Sequence, residues 1–327
     1  MNIDLILESV VLPIIKYPIF LAVTISTYTN YNVEILYLPL VTFSALINLG
    51  IWLNKRFKVR GKWQDLDRVD SAICVVTGGS NGLGLAIVQE FLSKFVNVTV
   101  IVVDVAVPKV VHPRLVFYQC DLSEPSGVER ILLLLRRNHP KIDVLINNAG
   151  IRSKYQNYLL VQREEAERVF QVNVFAPMRF VQELSPASND KSQFYAVTVA
   201  SALGVCAPAR ASCYGASKAA SIAFHEAWTQ EISYKNTIRT LLVTPGQMNT
   251  TMFGGFAPPK EFFAPLVHPE ALARQIVEHC RTGTRGEISA PLYANFMGLM
   301  RVLPYGVNYY ARKLSGIDSC LPTESMH

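Results

Sequence analysis

Charged side chains are scarce in this chain. Only 17% of its 327 residues are Asp, Glu, Lys or Arg, against 50% hydrophobic, and the mean hydropathy is +0.23. That is apolar for a soluble enzyme and points to a part that faces a membrane. Metal-binding cysteine patterns are missing too. Cys74, Cys120, Cys206, Cys213, Cys280 and Cys320 form no CxxC pair and no finger spacing. No metal site is therefore expected, and the cysteines read as free buried thiols in a reducing compartment. The absence of internal repeats excludes a repeat array, and there is no low-complexity segment. A distributed basic surface is also lacking. The net charge of +6 is concentrated in Lys55, Arg56, Lys58, Arg60 and Lys62, beside an apolar stretch. That placement suits a membrane flank and argues against a nucleic-acid partner. The length fits one α/β domain with appended segments.

What is present begins with ILYLPLVTFSALINLGIWL, 19 uncharged residues over 35–53 that run into NKRFKVRGK. This is long enough to cross a bilayer as a helix. A cleaved signal peptide would put its basic residues first, whereas Asp4 and Glu8 open this chain, so the stretch reads as a retained anchor. The basic flank then puts everything after it in the cytosol. An earlier apolar stretch over 9–26 carries Pro13, Lys16 and Pro18, and is either a second span forming a hairpin or a helix lying in the interface. The expected organisation is an anchor region over 1–54, a basic linker over 55–70, an α/β domain over 71–290 and an amphipathic tail over 291–327.

From Ser71 onward the pattern alternates. AICVVTGG, VTVIVVD, RLVFYQCD, IDVLINNAG, FYAVTVAS and IRTLLVTPG are short β-branched runs, with helical stretches between most of them. Near-continuous apolar strands separated by helices predict a doubly wound, Rossmann-type parallel sheet covered on both faces. The first unit carries TGGSNGLG over 77–84, a glycine turn leading into a helix with apolar residues at Leu85, Val88, Phe91, Leu92 and Phe95. Such a turn lets backbone approach a pyrophosphate at a helix N-terminus. Asp104 follows twenty residues after Gly84 and closes the second strand, where a carboxylate can accept bonds from an adenosine ribose. Further along, ASCYGASKAA over 211–220 sets Tyr214 and Lys218 one helical turn apart among small residues.

Taken together, TGxxxGxG at 77–84, NNAG at 147–150, Asn173, Ser201, YxxxK at 214–218 and PGxxxT at 245–250 resemble the short-chain dehydrogenase/reductase family, in the family's order. With an N-terminal anchor and an amphipathic tail, the chain is similar to the membrane-bound branch acting on retinoids, steroids and other lipids. The resemblance implies hydride transfer between an alcohol or carbonyl carbon and NAD or NADP, with Tyr214 as general acid/base. A free phenol near pKa 10 is a weak base, and a neighbouring ammonium favours its ionised form, which is the role expected of Lys218. The family likeness also implies that Lys218 bonds the nicotinamide ribose, Ser201 polarises the substrate oxygen and Asn173 holds a water. The small residues Gly215, Ala216, Ser217, Ala219 and Ala220 read as room for a cofactor against the helix.

The implied cofactor contacts are Thr77, Gly78, Ser80, Asn81, Gly82, Leu83 and Gly84 in the turn, and Asp104 at the ribose. Asp121 and Leu122 fall at the adenine, and Asn148, Ala149 and Gly150 beside the adenosine ribose, with Asn147 alternatively bracing the sheet. Pro245, Gly246, Met248 and Thr250 fall over the nicotinamide. Asp104 favours NAD, since its charge opposes a 2′-phosphate and the first cation after it is Lys109. If the strand ended one residue earlier, Lys109 would reach that phosphate instead.

The loop TMFGGFAPPKEFFAPLVHPE carries Met252, Phe253, Phe256, Phe262 and Phe263 and reads as a lid over an apolar ligand, with core filling as the alternative. The tail LYANFMGLMRVLPYGVNYYARK reads as an interfacial helix or a packed terminal one. The expected partners are a lipophilic small molecule and membrane lipids, with a homodimer left open. The expected membrane is the endoplasmic reticulum or a lipid-droplet surface, with the outer mitochondrial membrane as an alternative. Reduction of a lipid ketone of the 3-ketoacyl type, or an idle dinucleotide-binding sensor or scaffold, remain the competing functions.

Overall fold

The computed structural model of the protein describes residues 3–29, 37–187, 190–250, 252, 262 and 264–321. Six strands form where the β-branched runs predict them: β1 Ala72–Thr77, β2 Val98–Asp104, β3 Leu115–Gln119, β4 Val144–Asn147, β5 Phe194–Val199 and β6 Ile238–Pro245. A seventh, β7 Gly286–Ala290, was not foreseen, because GEISA has only one β-branched residue and opens on glycine. The sheet is fully parallel in the order β3-β2-β1-β4-β5-β6-β7. The order reverses between β1 and β4, and at such a switch point ligands bind beyond the carboxyl ends of the strands.

Alternate residues of each strand feed two cores. On one face Cys74, Val76, Val100, Val102 and Ile146 meet helices Gly82–Lys94 and Pro269–Thr282. On the other, Val75, Ile101, Val103 and Leu145 meet helix Pro125–Asn138 and Phe180 of helix Ala176–Leu184. With both strand faces buried, no polar alternation is possible, which is why the runs are so uniformly apolar. Each fully buried Val, Ile, Leu or Phe contributes about 1.5–3 kcal/mol.

Ahead of the sheet lies one described helix long and apolar enough to cross a membrane, Tyr37–Lys58. It continues through the basic residues Lys55, Arg56 and Lys58, which were assigned to a linker; nothing breaks the helix there, and Lys and Arg are good helix formers. Residues 35 and 36 lie outside the described residues. The earlier apolar stretch is helical over Ile3–Lys16 and again over Pro18–Thr29, the two halves meeting at 84°. Pro18 disfavours helical backbone at Tyr17, and the break falls there.

The rest of the expected linker is docked on the sheet. Arg239, 1% exposed at the start of β6, donates to the carbonyls of Gly283 (2.8 Å), Arg60 and Gly61 (both 3.1 Å). Its guanidinium stacks 4.5 Å from the Trp63 ring. Burial lowers its pKa to about 10.

Candidate active site

At the switch point a cleft of about 290 Å³ opens over the carboxyl ends of the strands. Its floor is the glycine turn. Gly78 has a φ of +65°, which only glycine adopts freely, and a side chain there would also sit 2.8 Å from Ala149 Cα. At Gly84 a Cβ would overlap the Gly78 carbonyl oxygen and crowd the Asn148 amide at 2.5 Å. The turn can therefore close only without side chains at Gly78 and Gly84. Asn81, Gly82 and Leu83 line the cleft at the N-terminus of helix Gly82–Lys94, where backbone N–H groups lack helical acceptors. This is a cradle that a diphosphate fits.

Not every turn residue faces the cleft. Thr77, Ser80 and Gly84 are not among its lining residues. The Thr77 hydroxyl accepts from the backbone N–H groups of Asn148 and Ala149, both at 3.1 Å. The Ser80 N–H donates to Asp104 Oδ2 at 3.0 Å and its hydroxyl to the Ala106 carbonyl at 2.5 Å. Asn148 lines the cleft, yet its side-chain amide donates to the carbonyls of Thr77 (3.1 Å) and Gly78 (3.0 Å) and braces the turn. The brace expected of Asn147 thus falls to its neighbour as well, while Asn147 donates to the Pro177 carbonyl at 3.2 Å. Gly84→Ala is expected to abolish dinucleotide binding by forcing the turn open, with the fold retained; calorimetric titration with NADH checks this, and wild-type affinity would show that the turn is not the cradle.

Asp104 ends β2 and lines the cleft, so the register that would turn it away does not occur. Lys109 is not among the lining residues. A second cation that lines the cleft besides Lys218, Arg168, was missed. It stands beside Asp121, whose carboxyl is held below the usual range mainly by the Ser123 backbone N–H, with Arg168 adding. No local pattern marks Arg168, because β4 and the helix after it meet the adenine end only in three dimensions. Leu122, Ala149, Gly150, Pro245, Gly246, Met248 and Thr250 all line the cleft as expected. Met252 of the greasy loop joins them and Phe262 is exposed, while Phe253, Phe256 and Phe263 lie outside the described residues.

Ser201, Tyr214 and Lys218 converge at the cleft's inner end. Ser201 caps the short helix Ala202–Val205 by accepting from Leu203 N–H at 3.1 Å, and its side chain is near enough to Tyr214 to act on the phenol. Tyr214 is 5% exposed, and burial raises its phenol well above the ordinary value, the Ser201 side chain pulling the other way and Tyr155 adding to the rise. The expected lowering by Lys218 does not decide this titration. Lys218 is itself buried, which lowers its ammonium to about 8; Nζ donates to the Val199 carbonyl at 2.9 Å and lies 5.9 Å from the Tyr214 ring centroid.

Asn173 stands one layer behind, in a π-helical turn Gln171–Phe175, of a kind often found at functional sites. Its Oδ1 accepts from Ile151 N–H and its Nδ2 donates to Ile151 O, both at 2.8 Å, and to Ser217 Oγ at 2.9 Å. Ser217, fully buried, passes the link to the Tyr214 carbonyl at 2.8 Å.

Gly215 therefore does something other than make room for a cofactor, together with Gly204. A Cβ at Gly215 would stand 2.5 Å from Ala207 Cβ, and one at Gly204 would stand 2.7 Å from the backbone of Lys218. They let the segment after Ser201 pack against the tyrosine helix, which fixes the serine and the phenol relative to each other. The tail completes this wall. Ala294 and Met297 bury against Ala202 and Cys206, Arg312 pairs with Asp318 and donates to the Ala207 carbonyl at 2.8 Å, and Leu321 packs with Tyr155 and Tyr214. The other side of the tail remains exposed and apolar, with Phe296, Leu299, Val302 and Leu314.

Among known proteins, the short chain dehydrogenase family matches residues 72–260. The chain is 39% identical to the uncharacterized oxidoreductase TDA5 of Saccharomyces cerevisiae, over 99% of this chain and 100% of that one. It is 29% identical to retinol dehydrogenase 10-B of Danio rerio, over 77% and 84% of the two chains. Its fold superposes on the 3-ketoacyl-(acyl-carrier-protein) reductase of Brucella melitensis complexed with NADH, with a TM-score of 0.60 and 22% identity over 68% of this chain and 97% of that one.

Proposed function

The chain belongs to the short-chain dehydrogenase family, and from that premise we propose that it interconverts a lipophilic alcohol and its aldehyde or ketone at a membrane, using Tyr214 as general acid/base. It is a nicotinamide-dependent oxidoreductase acting on CH–OH groups. The observation that carries the specific reading is that Ser201, Tyr214 and Lys218 all line the one cleft that begins in the glycine turn.

The glycine turn, Asp104 and Asp121 would hold the adenosine diphosphate half, and Gly150, Lys218, Gly246 and Thr250 the nicotinamide half. The bound cofactor supplies the acceptor or donor of the hydride. Ser201 holds the substrate oxygen, Tyr214 exchanges the proton with that oxygen, and Asn173 together with Ser217 holds the tyrosine helix in register. Because burial keeps the phenol protonated, the resting site is set up to donate a proton. This favours carbonyl reduction as the second reading within the same chemistry. A sensor or scaffold would have no need of a hydroxyl pair aligned for proton exchange.

Apolar lining at Ile151, Met248 and Met252, the helix Tyr37–Lys58 and the likeness to a retinol dehydrogenase support a lipophilic substrate. The test is cofactor consumption by microsomal protein across retinols, sterols, long-chain alcohols and their carbonyl partners. Turnover of none of them, with dinucleotide binding intact, would remove the enzymatic reading in favour of the sensor.

Cofactor choice rests on Asp104. Two of its acceptor positions are taken by Ser80 N–H (3.0 Å) and Ala106 N–H (3.2 Å), which aim the carboxylate along the cleft. A 2′-phosphate about 5 Å away would meet repulsion of roughly 1–3 kcal/mol, so NAD is preferred. Asp104→Asn keeps an acceptor for both amides but removes the charge. It is expected to narrow the preference for NAD over NADP in kcat/KM by roughly tenfold, the equivalent of about 1.4 kcal/mol; an unchanged ratio would clear Asp104 of that role.

A further inference from the structure

Where helix Tyr37–Lys58 meets the start of β7, cations gather without a counter-charge. Lys55, Arg56, Lys58, Arg60 and Lys62 follow the apolar run, and no acidic residue lies between Glu34 and Asp65 in the sequence. Among the described residues none of these five forms an ion pair, and neither does Arg285. The acids that follow in sequence are committed elsewhere. Asp65 and Asp67 face Arg281 at 3.3 and 3.6 Å, and Glu287 Oε1 accepts from the hydroxyls of Thr244 (3.0 Å) and Ser289 (2.8 Å).

Three of the cations are brought together by bonds to backbone carbonyls, with no opposite charge to draw them in. Arg285 N–H donates to the Lys58 carbonyl at 3.1 Å, and Arg285 Nη1 donates to the Arg60 carbonyl at 2.8 Å. The Lys58 ammonium lies against Gly286, where a Cβ would stand 3.2 Å from Nζ. Arg60 stacks its guanidinium 4.4 Å from the Phe57 ring. Burial, and after it the charge of Arg60, lowers the pKa of Arg285, so the two guanidiniums repel each other. Like charges held at a fixed junction make a site that an anion completes.

The depth of the junction identifies the anion. The apolar run ends at Leu53, and Lys58 follows on the same helix, about 7–8 Å further along its axis at ~1.5 Å per residue. A headgroup layer adds roughly 5–8 Å to each side of a hydrocarbon core. With the helix in a bilayer, Lys58, Arg60 and Arg285 stand at the level of the lipid phosphates. Trp52, beside Leu53 and 54% exposed, suits the boundary just below them.

We propose that Lys58, Arg60 and Arg285 form a binding site for the headgroup phosphate of an anionic phospholipid, shared between the membrane helix and the α/β body. This rests on the membrane-bound reading above. A lipid held there sets the orientation of the body, because Arg285 immediately precedes β7 and Arg239 already clamps the chain at the Arg60 and Gly61 carbonyls.

The test uses the full chain in dodecylmaltoside micelles, where the apolar helix is already covered. Energy transfer from tryptophan to a dansyl group on the acyl chain reports binding of phosphatidylglycerol or phosphatidylcholine, which share the phosphate and differ in the neutralising choline. Phosphatidylglycerol should bind at least ~10-fold more tightly, and the preference should fade in high salt. Lys58→Gln combined with Arg60→Gln removes two charges and keeps both carbonyl acceptors for Arg285, so the fold is retained. At roughly fivefold per cation near a membrane surface, its affinity for phosphatidylglycerol should drop ~25-fold. Equal binding of the two lipids by the wild type, or a preference kept by the double variant, would overturn the site. Displacement of phosphatidylglycerol by inorganic phosphate would assign the site to a soluble anion and overturn the lipid. Carbonate washing of microsomes is read separately: release of the chain would sink the membrane-bound reading and this inference with it, whereas retention with equal lipid binding would sink the inference alone.

Discussion

Tyr214→Phe is expected to lower turnover by ~100- to 10,000-fold, the usual worth of a positioned acid/base group, while dinucleotide affinity and stability change little. The substitution removes one oxygen. That oxygen is buried and, with its pKa raised, neutral at pH 7, so no charge is lost from the cleft. The Ser201 side chain loses a neighbouring hydroxyl but Oγ still accepts from Leu203 N–H, so the stability change is about 1 kcal/mol at most. The ring keeps its contacts with Tyr155, Ala211 and Leu321. In barrier terms the activity loss corresponds to ~3–5 kcal/mol, several times the stability change, so the two are separable in one experiment. Steady-state turnover, thermal unfolding and NADH titration on the same preparation measure all three quantities. Turnover within threefold of wild type would take the proton-transfer role away from Tyr214.

The sheet was legible because its signal is local. Two-sided burial keeps β1, β2 and β4 apolar over most of their length, and such runs stand out against the helices between them. The glycine turn was legible for a related reason, since a backbone that touches its own carbonyl at Gly84 admits no other residue. Tyr214 and Lys218 announced themselves by one-turn spacing, and Asp104 by its place at a strand end. What stayed hidden depends on contacts between distant segments. Nothing near Arg168 shows that it will reach Asp121, and nothing near Ser217 shows that it will join Asn173 to the tyrosine helix. The meaning of Gly215 was misassigned because the sequence shows that a residue is small without showing what approaches it. Likewise the docking of the N-terminal region on the α/β body depends on Leu292 N–H donating to Asp4 and on Arg239 donating to the Arg60 carbonyl, bonds that join residues more than 170 positions apart.

Lys218→Met is expected to give a protein that is inactive and more stable at neutral pH. The ammonium is buried, 4% exposed, and desolvation brings its pKa to about 8, below the ordinary 10.5 of the unfolded chain. Below pH 8 both states carry the proton, and the folded state alone bears the cost of burying the charge. Between pH 8 and 10.5 the folded chain gives up its proton before the unfolded chain does, so wild-type stability rises with pH across that window. A shift of this size corresponds to roughly 3 kcal/mol. Methionine escapes that cost but forfeits the bond to the Val199 carbonyl, worth about 1 kcal/mol. The net gain at pH 7 is about 2 kcal/mol, or a Tm higher by roughly 4–8 °C for a chain of this size, and it should shrink as pH is raised from 8 to 10. Turnover should fall at least ~100-fold, and the dinucleotide KM should rise, since Nζ lies against Gly150 inside the cleft. Tyr214→Phe leaves that KM alone, so the pair of variants separates cofactor binding from proton transfer. Thermal unfolding at pH 7, 9 and 10 checks the stability side. A Tm that falls at pH 7 would show that the buried ammonium stabilises the fold, and that the site holds Lys218 for structure rather than at a cost accepted for function.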